Sequence, residues 1–328
     1  MIQNKGTRQM AHQEYKLSYP VDTVIWNGKN IIRKDDDLID KNLDILLECG
    51  IDEVMLAGYT DVESADFDMS NETERIGEKL RSRGMRAAQH HGLAASFAPL
   101  EESQEETIKK LIASVRYTAN LNADVLVLHS GRIDRHFNTV KEYLQVYSDQ
   151  VEHHGIAEVL KRNADNLHQA GEEAKRLGVR IAMENLDRFE PFADMELLPQ
   201  LIKLADSDAV GYCLDSGHAH CCDVSVSEWI KIMGDKLFTT HFHDNRGSQG
   251  RNVTPGEFIP SSGIDEHLPP GFGTIPWIDV IKTLKKISYK NTVNFESGPW
   301  PDMPEKEGYQ TAIKFWRTCE YLTTKKGD

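Results

Sequence analysis

Short β-prone runs and helical segments alternate about eight times along this chain, and few folds accept that order. The strand candidates are Thr23–Trp26, Ile51–Ala57, Met85–His91, Ala123–His129, Val179–Glu184, Val210–Asp215, Leu237–His243 and Thr292–Glu296. Between them lie segments with apolar residues at helical spacing: 35–49, 69–83, 101–121, 153–177, 194–205, 227–233 (Ser227 as its cap), 277–287 and 306–323. Several carry start and stop signals, such as the acids opening 35–49 and the glycines Gly50, Gly84 and Gly178 that follow three of them. Alternation at this spacing predicts parallel strands joined by crossover helices. Eight such units in 328 residues predict one α/β domain closed as a (β/α)8 barrel, the TIM-barrel architecture, rather than an open doubly wound sheet. No linker divides the chain, and residues 1–14 read as a polar lead-in. Two stretches exceed what a connection requires: 132–150, with Arg132, Arg135 and His136, and the Gly- and Pro-rich 244–276. The first reads as a loop or broken helix over the site, and the second as a loop over the barrel mouth.

A barrel places its active site at the C-terminal ends of its strands. Those ends carry His90 and His91, His129, Glu184, Asp215 and His218, His241, His243 and Asp244, and Glu296. The stretch Gly211–His220, GYCLDSGHAH, is the plainest case: a buried strand that stops on a carboxylate with an imidazole three residues on. Asp215 also reads as a cap for a following helix and His218 as a hydrogen-bonded loop histidine. Buried charges, however, are unfavourable unless paired or metal-bound. Several of them at one end of one barrel predict a shared metal site. Two glutamates, an aspartate and a histidine make an oxygen-rich donor set, which suits Mn2+ and also Mg2+, Co2+ or Zn2+.

Composition bounds the partners. The formal net charge of −14 argues against a nucleic-acid surface, which needs clustered Lys and Arg. The five cysteines fit no zinc-finger spacing and point to a reduced, cytoplasmic chain, with Cys221 and Cys222 as packing residues. No long apolar run suggests a membrane span or a secretory leader. Neither a GxGxxG turn nor a phosphate-binding P-loop occurs, which weakens a nucleotide reading.

The ordered set MEN at 183–185, LDSGHAH at 214–220, HFHD at 241–244, DEHLPPGFG at 265–273 and NFES at 294–297 resembles the sugar-phosphate isomerase/epimerase superfamily. These are the xylose isomerase-like TIM barrels, to which endonuclease IV also belongs. The resemblance runs from about residue 40 to 320. It implies that Glu184, Asp215, His241 and Glu296 hold the metal, as the ketose 3-epimerases of the group do. His241 is taken over His243 because the group's pattern is His-x-x-Asp, ending on Asp244. The substrate-contacting glutamate falls on Glu190 and the substrate-contacting histidine on His218. The group's substrate-binding arginine has no match, since Gly247 stands in its place and Arg246 one residue earlier. His91, His129, Arg246 and His267 complete the candidate substrate contacts.

The implied reaction lies at a carbon next to a carbonyl, through an enediolate-type intermediate. Glu184 and Glu296 are the expected acid/base pair, and a sugar isomerase or epimerase is the expected activity. Dehydratases and lyases of keto-sugars or glycosides share the same step. An endonuclease IV-like cleavage of abasic DNA is a further reading, since that group's three-zinc ligands fall on His90 or His91, His129, Glu184, Asp215, His218, His241, Asp265, His267 and Glu296. A non-catalytic role in a larger complex is the third. The expected partner is a small carbohydrate, with no nucleic acid and no membrane; homo-oligomerisation stays open.

Overall fold

The computed structural model describes residues 14–26, 31–57, 69–92, 103–129, 140–187, 194–248 and 265–324. In chain order the strands are β1 (Leu17–Asp22), β2 (Val24–Trp26), β3 (Ile31–Arg33), β4 (Glu53–Ala57), β5 (Arg86–His91), β6 (Val125–His129), β7 (Arg180–Glu184), β8 (Val210–Asp215), β9 (Leu237–His241) and β10 (Val293–Asn294). The helices are α1 (Asp36–Glu48), α2 (Met69–Ser82), α3 (Gln104–Asn120), α4 (Val140–His154), α5 (Ile156–Leu177), α6 (Leu197–Ala205), α7 (Ser216–Cys221), α8 (Val226–Met233), α9 (Trp277–Lys286) and α10 (Glu305–Leu322). Eight strands run parallel in the order β10-β1-β4-β5-β6-β7-β8-β9, and β2 and β3 form a separate antiparallel hairpin. This is the (β/α)8 barrel that the alternation predicts.

Closure between β9 and β10 is sparse. Past the two strands, Phe242 bridges Phe295, with Phe242 N–H donating to the Asn294 carbonyl at 2.8 Å and Glu296 N–H to the Phe242 carbonyl at 3.1 Å. The Thr240 hydroxyl takes the Asn294 amide at 3.0 Å, doing with a side chain what a strand does with its backbone.

Three details differ from the sequence reading. The first barrel strand is Leu17–Asp22, whereas the predicted Thr23–Trp26 supplies the hairpin. Pro20 hides the strand, because a proline cannot donate to a ladder. The Lys16 and Ser18 carbonyls accept from the Val293 and Phe295 amides. By the two-residue period of a strand, Pro20 turns its nitrogen to that same side, beyond the last β1–β10 pair. The predicted helix at 153–177 begins at Ile156, since Gly155 (φ 81°) interrupts it and leaves His153 and His154 at the end of α4. Ser225 rather than Ser227 precedes α8. Of the predicted 132–150 stretch, the part from Val140 is helical and the rest lies outside the described residues. Among those residues no helix is long and apolar enough to cross a membrane.

Inside the barrel the side chains form layers, as closed parallel barrels require. Val125, Val127, Ala182, Cys213 and Phe238 make an apolar inner cluster. Gln89, Thr239, Asn294 and Ser18 form a buried hydrogen-bonded layer, with the Asn294 amide donating to Thr239 at 2.7 Å. The much larger outer core packs helices on the barrel.

Candidate metal centre

Strand alternation decides which side chains face inward. Phe242 packs outward against Trp277 and Trp316, with ring centroids 5.4 and 5.9 Å away. Its neighbours His241 and His243 therefore both point into the barrel. Phe295 likewise meets Trp316 outside, at 5.2 Å, which turns Glu296 inward. On β5 the His90 ring points out, its Nδ1 2.9 Å from the Thr118 hydroxyl of α3. That settles the choice between His90 and His91: His91 faces the site.

Glu184 ends β7 wholly buried in a ring of imidazoles. One of its oxygens lies 3.1 Å from His241 Nδ1, 3.5 Å from His129 Nε2 and 3.6 Å from His91 Nε2, and the other lies 3.3 Å from His218 Nδ1. His241 Nδ1 is also 3.1 Å from Glu296. Burial pushes the Glu184 carboxyl up, but His241, then His129, more than reverse this and hold it well below the usual carboxylate range. Glu296 is held low in the same way, chiefly by His241 against its own burial. Burial would lower His241; the Cys213 sulfur, then Glu296 and Glu184, raise it well above the ordinary imidazole.

Asp215 serves two ends at once. Its carboxylate accepts the His218 N–H at 2.6 Å and so caps α7, as one reading of the sequence expects. Both its oxygens lie 3.0 Å from His243 Nε2. Asn185, a residue the sequence reading did not single out, locks this strand end: its amide donates to the Asp215 carbonyl at 2.9 Å and its oxygen accepts the Asp215 N–H at 2.8 Å. The only sequence signal is its place directly after Glu184.

Ligand atoms of Glu184, Asp215, His241 and Glu296 all lie within 4.8 Å of one another. They end four consecutive staves, β7 to β10, with the two glutamates at the flanks. Neither ring nitrogen of His241 meets hydrogen-bond geometry despite full burial. Nδ1 faces two carboxylates at equal distance, an arrangement that suits donors around a common point. The residues fit a divalent cation.

Two further residues of the long loop reach the site. Asp265 takes His267 Nε2 at 2.9 Å, and His218 Nε2 lies 3.5 Å from the same oxygen. His267 lies flat on His243, ring centroids 4.0 Å apart. Of the loop, 249–264 lie outside the described residues, as does Glu190. Arg246 does not join the cluster; it pairs with Glu266 while half exposed. The sequence preference for His241 over His243 divides two residues that the structure brings to the same site.

The family described as the xylose isomerase-like TIM barrel matches residues 43–319. The chain belongs to that family. Among characterised relatives, the D-psicose 3-epimerase of Enterocloster bolteae is 25% identical over 159 residues, covering 48% of this chain and 44% of that one. The uncharacterized protein MJ1311 of Methanocaldococcus jannaschii is 27% identical over 213 residues, 62% of each chain. The chain thus spans less than two thirds of the length of these relatives. A crystal structure of the IolI protein with a bound zinc atom matches with a TM-score of 0.63 at 19% identity, over 94% of this chain and 99% of that one. At that identity the likeness concerns the fold.

Proposed function

We propose that this chain is a divalent metal-dependent isomerase or epimerase acting on a sugar or sugar derivative. One observation supports this most: two glutamates, an aspartate and a histidine meet within 4.8 Å at the ends of neighbouring strands. Two relatives known as D-psicose 3-epimerases agree with it. Glu184, Asp215, His241 and Glu296 would hold a divalent cation, Mn2+ by the oxygen-rich donor set and otherwise Mg2+, Co2+ or Zn2+, which would supply Lewis-acid polarisation to a carbonyl beside the reacting C–H. The proton is then moved by the chain's own residues. Glu184 and Glu296 flank the group, so one takes the proton from one face and the other returns it on the opposite face, which inverts the carbon. Return at the neighbouring carbon gives isomerisation. His129 and His91 lie beside Glu184, 3.5 and 3.6 Å from the oxygen that faces His241, and His218 and His267 offer donors to substrate hydroxyls.

Solvent exchange tests this. A panel of ketoses incubated with Mn2+-loaded protein in D2O should gain deuterium at the carbon beside the carbonyl. Glu184→Gln and Glu296→Gln should each lose ~10²–10⁴-fold in rate, as removal of a general base does. Turnover without deuterium would make both residues ligands only and point to a metal-assisted hydride shift. Absence of turnover across ketoses and their derivatives would sink the reading.

The gathering of His91, His129, Glu184, Asp215, His218, His241, Asp265, His267 and Glu296 in one cluster supports a second reading, phosphodiester cleavage. The charge of −14 opposes it by repelling a phosphate backbone. An abasic duplex with zinc-loaded protein should remain intact; cleavage abolished by replacing His129 would put this reading first.

A further inference from the structure

We propose that the N-terminal end of the barrel binds a small oxyanion, seated on Arg180, Lys290 and Asn291 at the end opposite the metal group. A cavity of about 190 Å³ opens there, lined by these three residues and walled on the inside by Phe238, Thr239 and Asn294. Arg180 is the first residue of β7, and Lys290 and Asn291 lead into β10. Arg180 is aimed inward. It stands level with Val125 in the sheet, and Val125 belongs to the inner apolar cluster; side chains level with each other on neighbouring strands share a face. Its guanidinium lies over the Phe238 ring, 4.9 Å from the centroid. Stacking of this kind fixes the plane of the group and leaves its in-plane N–H donors for another partner.

The charges around this cavity do not cancel. Asp124, also on its wall, is taken by Arg86, and nearby Glu53 by Lys16 at 2.9 Å. Among the described residues neither Arg180 nor Lys290 has a carboxylate partner. In a chain with a formal charge of −14, two such cations on one cavity are a local surplus of the sign that draws an anion in. A buried donor beside the same wall is uncommitted as well. The Gln89 oxygen accepts from Thr239, while its Nε2, fully buried, meets no hydrogen-bond partner among the described residues. A buried N–H in that state is unfavourable unless an acceptor reaches it. Size narrows the ligand. Sites for drug-sized molecules run to about 300–1,000 Å³ and one water takes about 30 Å³, so this cavity suits a small ion with its waters. The planar fork of an arginine matches the paired oxygens of phosphate and carboxylate. Chemistry in a barrel occupies the other end, so the ligand is not the substrate; it binds the folded chain and stabilises it.

Anion titration tests the proposal without any substrate. Full-length protein in Tris chloride, free of other oxyanions, is titrated with inorganic phosphate and, separately, with acetate, and read by calorimetry and by thermal unfolding. Wild type should show a saturable site and a Tm that rises with ligand concentration. Arg180→Gln and Lys290→Gln should each weaken that site by ~10–10²-fold, the size of a hydrogen bond to a charged group. Lys290 is exposed, so its variant keeps the fold and decides the matter even where Arg180→Gln does not fold. His267→Ala, at the other end of the barrel, should leave the site as in wild type. Tighter phosphate than acetate assigns the seat to a phosphate, and the reverse order to a carboxylate. No saturable binding of either ion overturns the proposal. So does equal affinity in Lys290→Gln and wild type, or a site lost in His267→Ala, which would put the anion at the mouth.

Discussion

Gly217 and His243 leave no room between them: a Cβ on Gly217 would lie 1.8 Å from the Cε1 of the His243 ring and 2.4 Å from its Nδ1. The first turn of α7 therefore seats directly on the imidazole, and only a glycine permits that approach. Gly217→Ala should displace the ring or the helix, with a loss of about 1–3 kcal/mol as for overpacked cores. Urea unfolding checks the stability, and the metal content checks whether the displaced ring has shifted Asp215, both of whose oxygens lie 3.0 Å from His243 Nε2. Unchanged values in both would show that the contact relaxes freely.

Asp215 caps α7 and faces the metal group with one carboxylate. Asn caps helices as well as Asp does, so Asp215→Asn should retain the fold while removing the charge. Elemental analysis should then find the metal depleted, with affinity down by at least ~10²-fold, the upper end of what supporting residues alone contribute. Equal metal content in variant and wild type would remove Asp215 from the ligand set.

Asp244 anchors the returning half of the long loop. Its carboxylate accepts from the backbone of Asn245 at 3.0 Å, Gly271 at 2.9 Å and Ile275 at 3.0 Å, and from the Trp277 indole at 2.8 Å. Hydrogen bonds to a charged acceptor are the stronger kind. Asp244→Ala should lower stability by roughly 3 kcal/mol and open residues 265–276 to limited proteolysis. Retained protease resistance would mean that other contacts hold the loop.

Burial, with a lesser push from His91, holds the His90 pKa down to about 3. In the unfolded chain it titrates near the ordinary value of about 6.5. Above that value the ring is neutral in both states and adds nothing. As pH falls from about 6.5 to about 3, the unfolded chain takes up a proton that the native state refuses. Stability therefore drops on acidification, by up to ~1.4 kcal/mol per pH unit. His90→Asn keeps a polar partner for Thr118 and removes the titration, so its acid slope should be shallower. Urea midpoints between about pH 7 and pH 4, on chelator-treated protein, make the comparison; parallel curves would refute it.

Much of the barrel was legible because its strands are short apolar runs between helices with clear ends. Asp35 caps α1 by accepting the Asp37 amide at 2.8 Å, and Gly178 closes α5 in the left-handed conformation. The first strand was not legible, since Pro20 breaks its pattern and only the shortness of β10 makes that residue harmless. Glu184, Asp215, His241 and Glu296 stood among the candidates because each lies at a strand end, and the family resemblance singled out these four. His243 could have been picked by the same logic: residues two apart in a strand share a face, and Phe242 between two histidines announces which face that is. Asp265, His267 and Asn185 carry weaker signals, because their positions depend on how a loop returns and on hydrogen bonds between strands.

The sparse closure between β9 and β10 runs directly beneath the site. His241 ends the stave on one side of that seam and Glu296 follows the stave on the other. A ligand held by both is thus a clasp across the weakest joint of the cylinder. Amide exchange at Phe242, Asn294 and Glu296 would report the clasp opening and closing, and loading the site would tighten the whole hoop rather than one pocket.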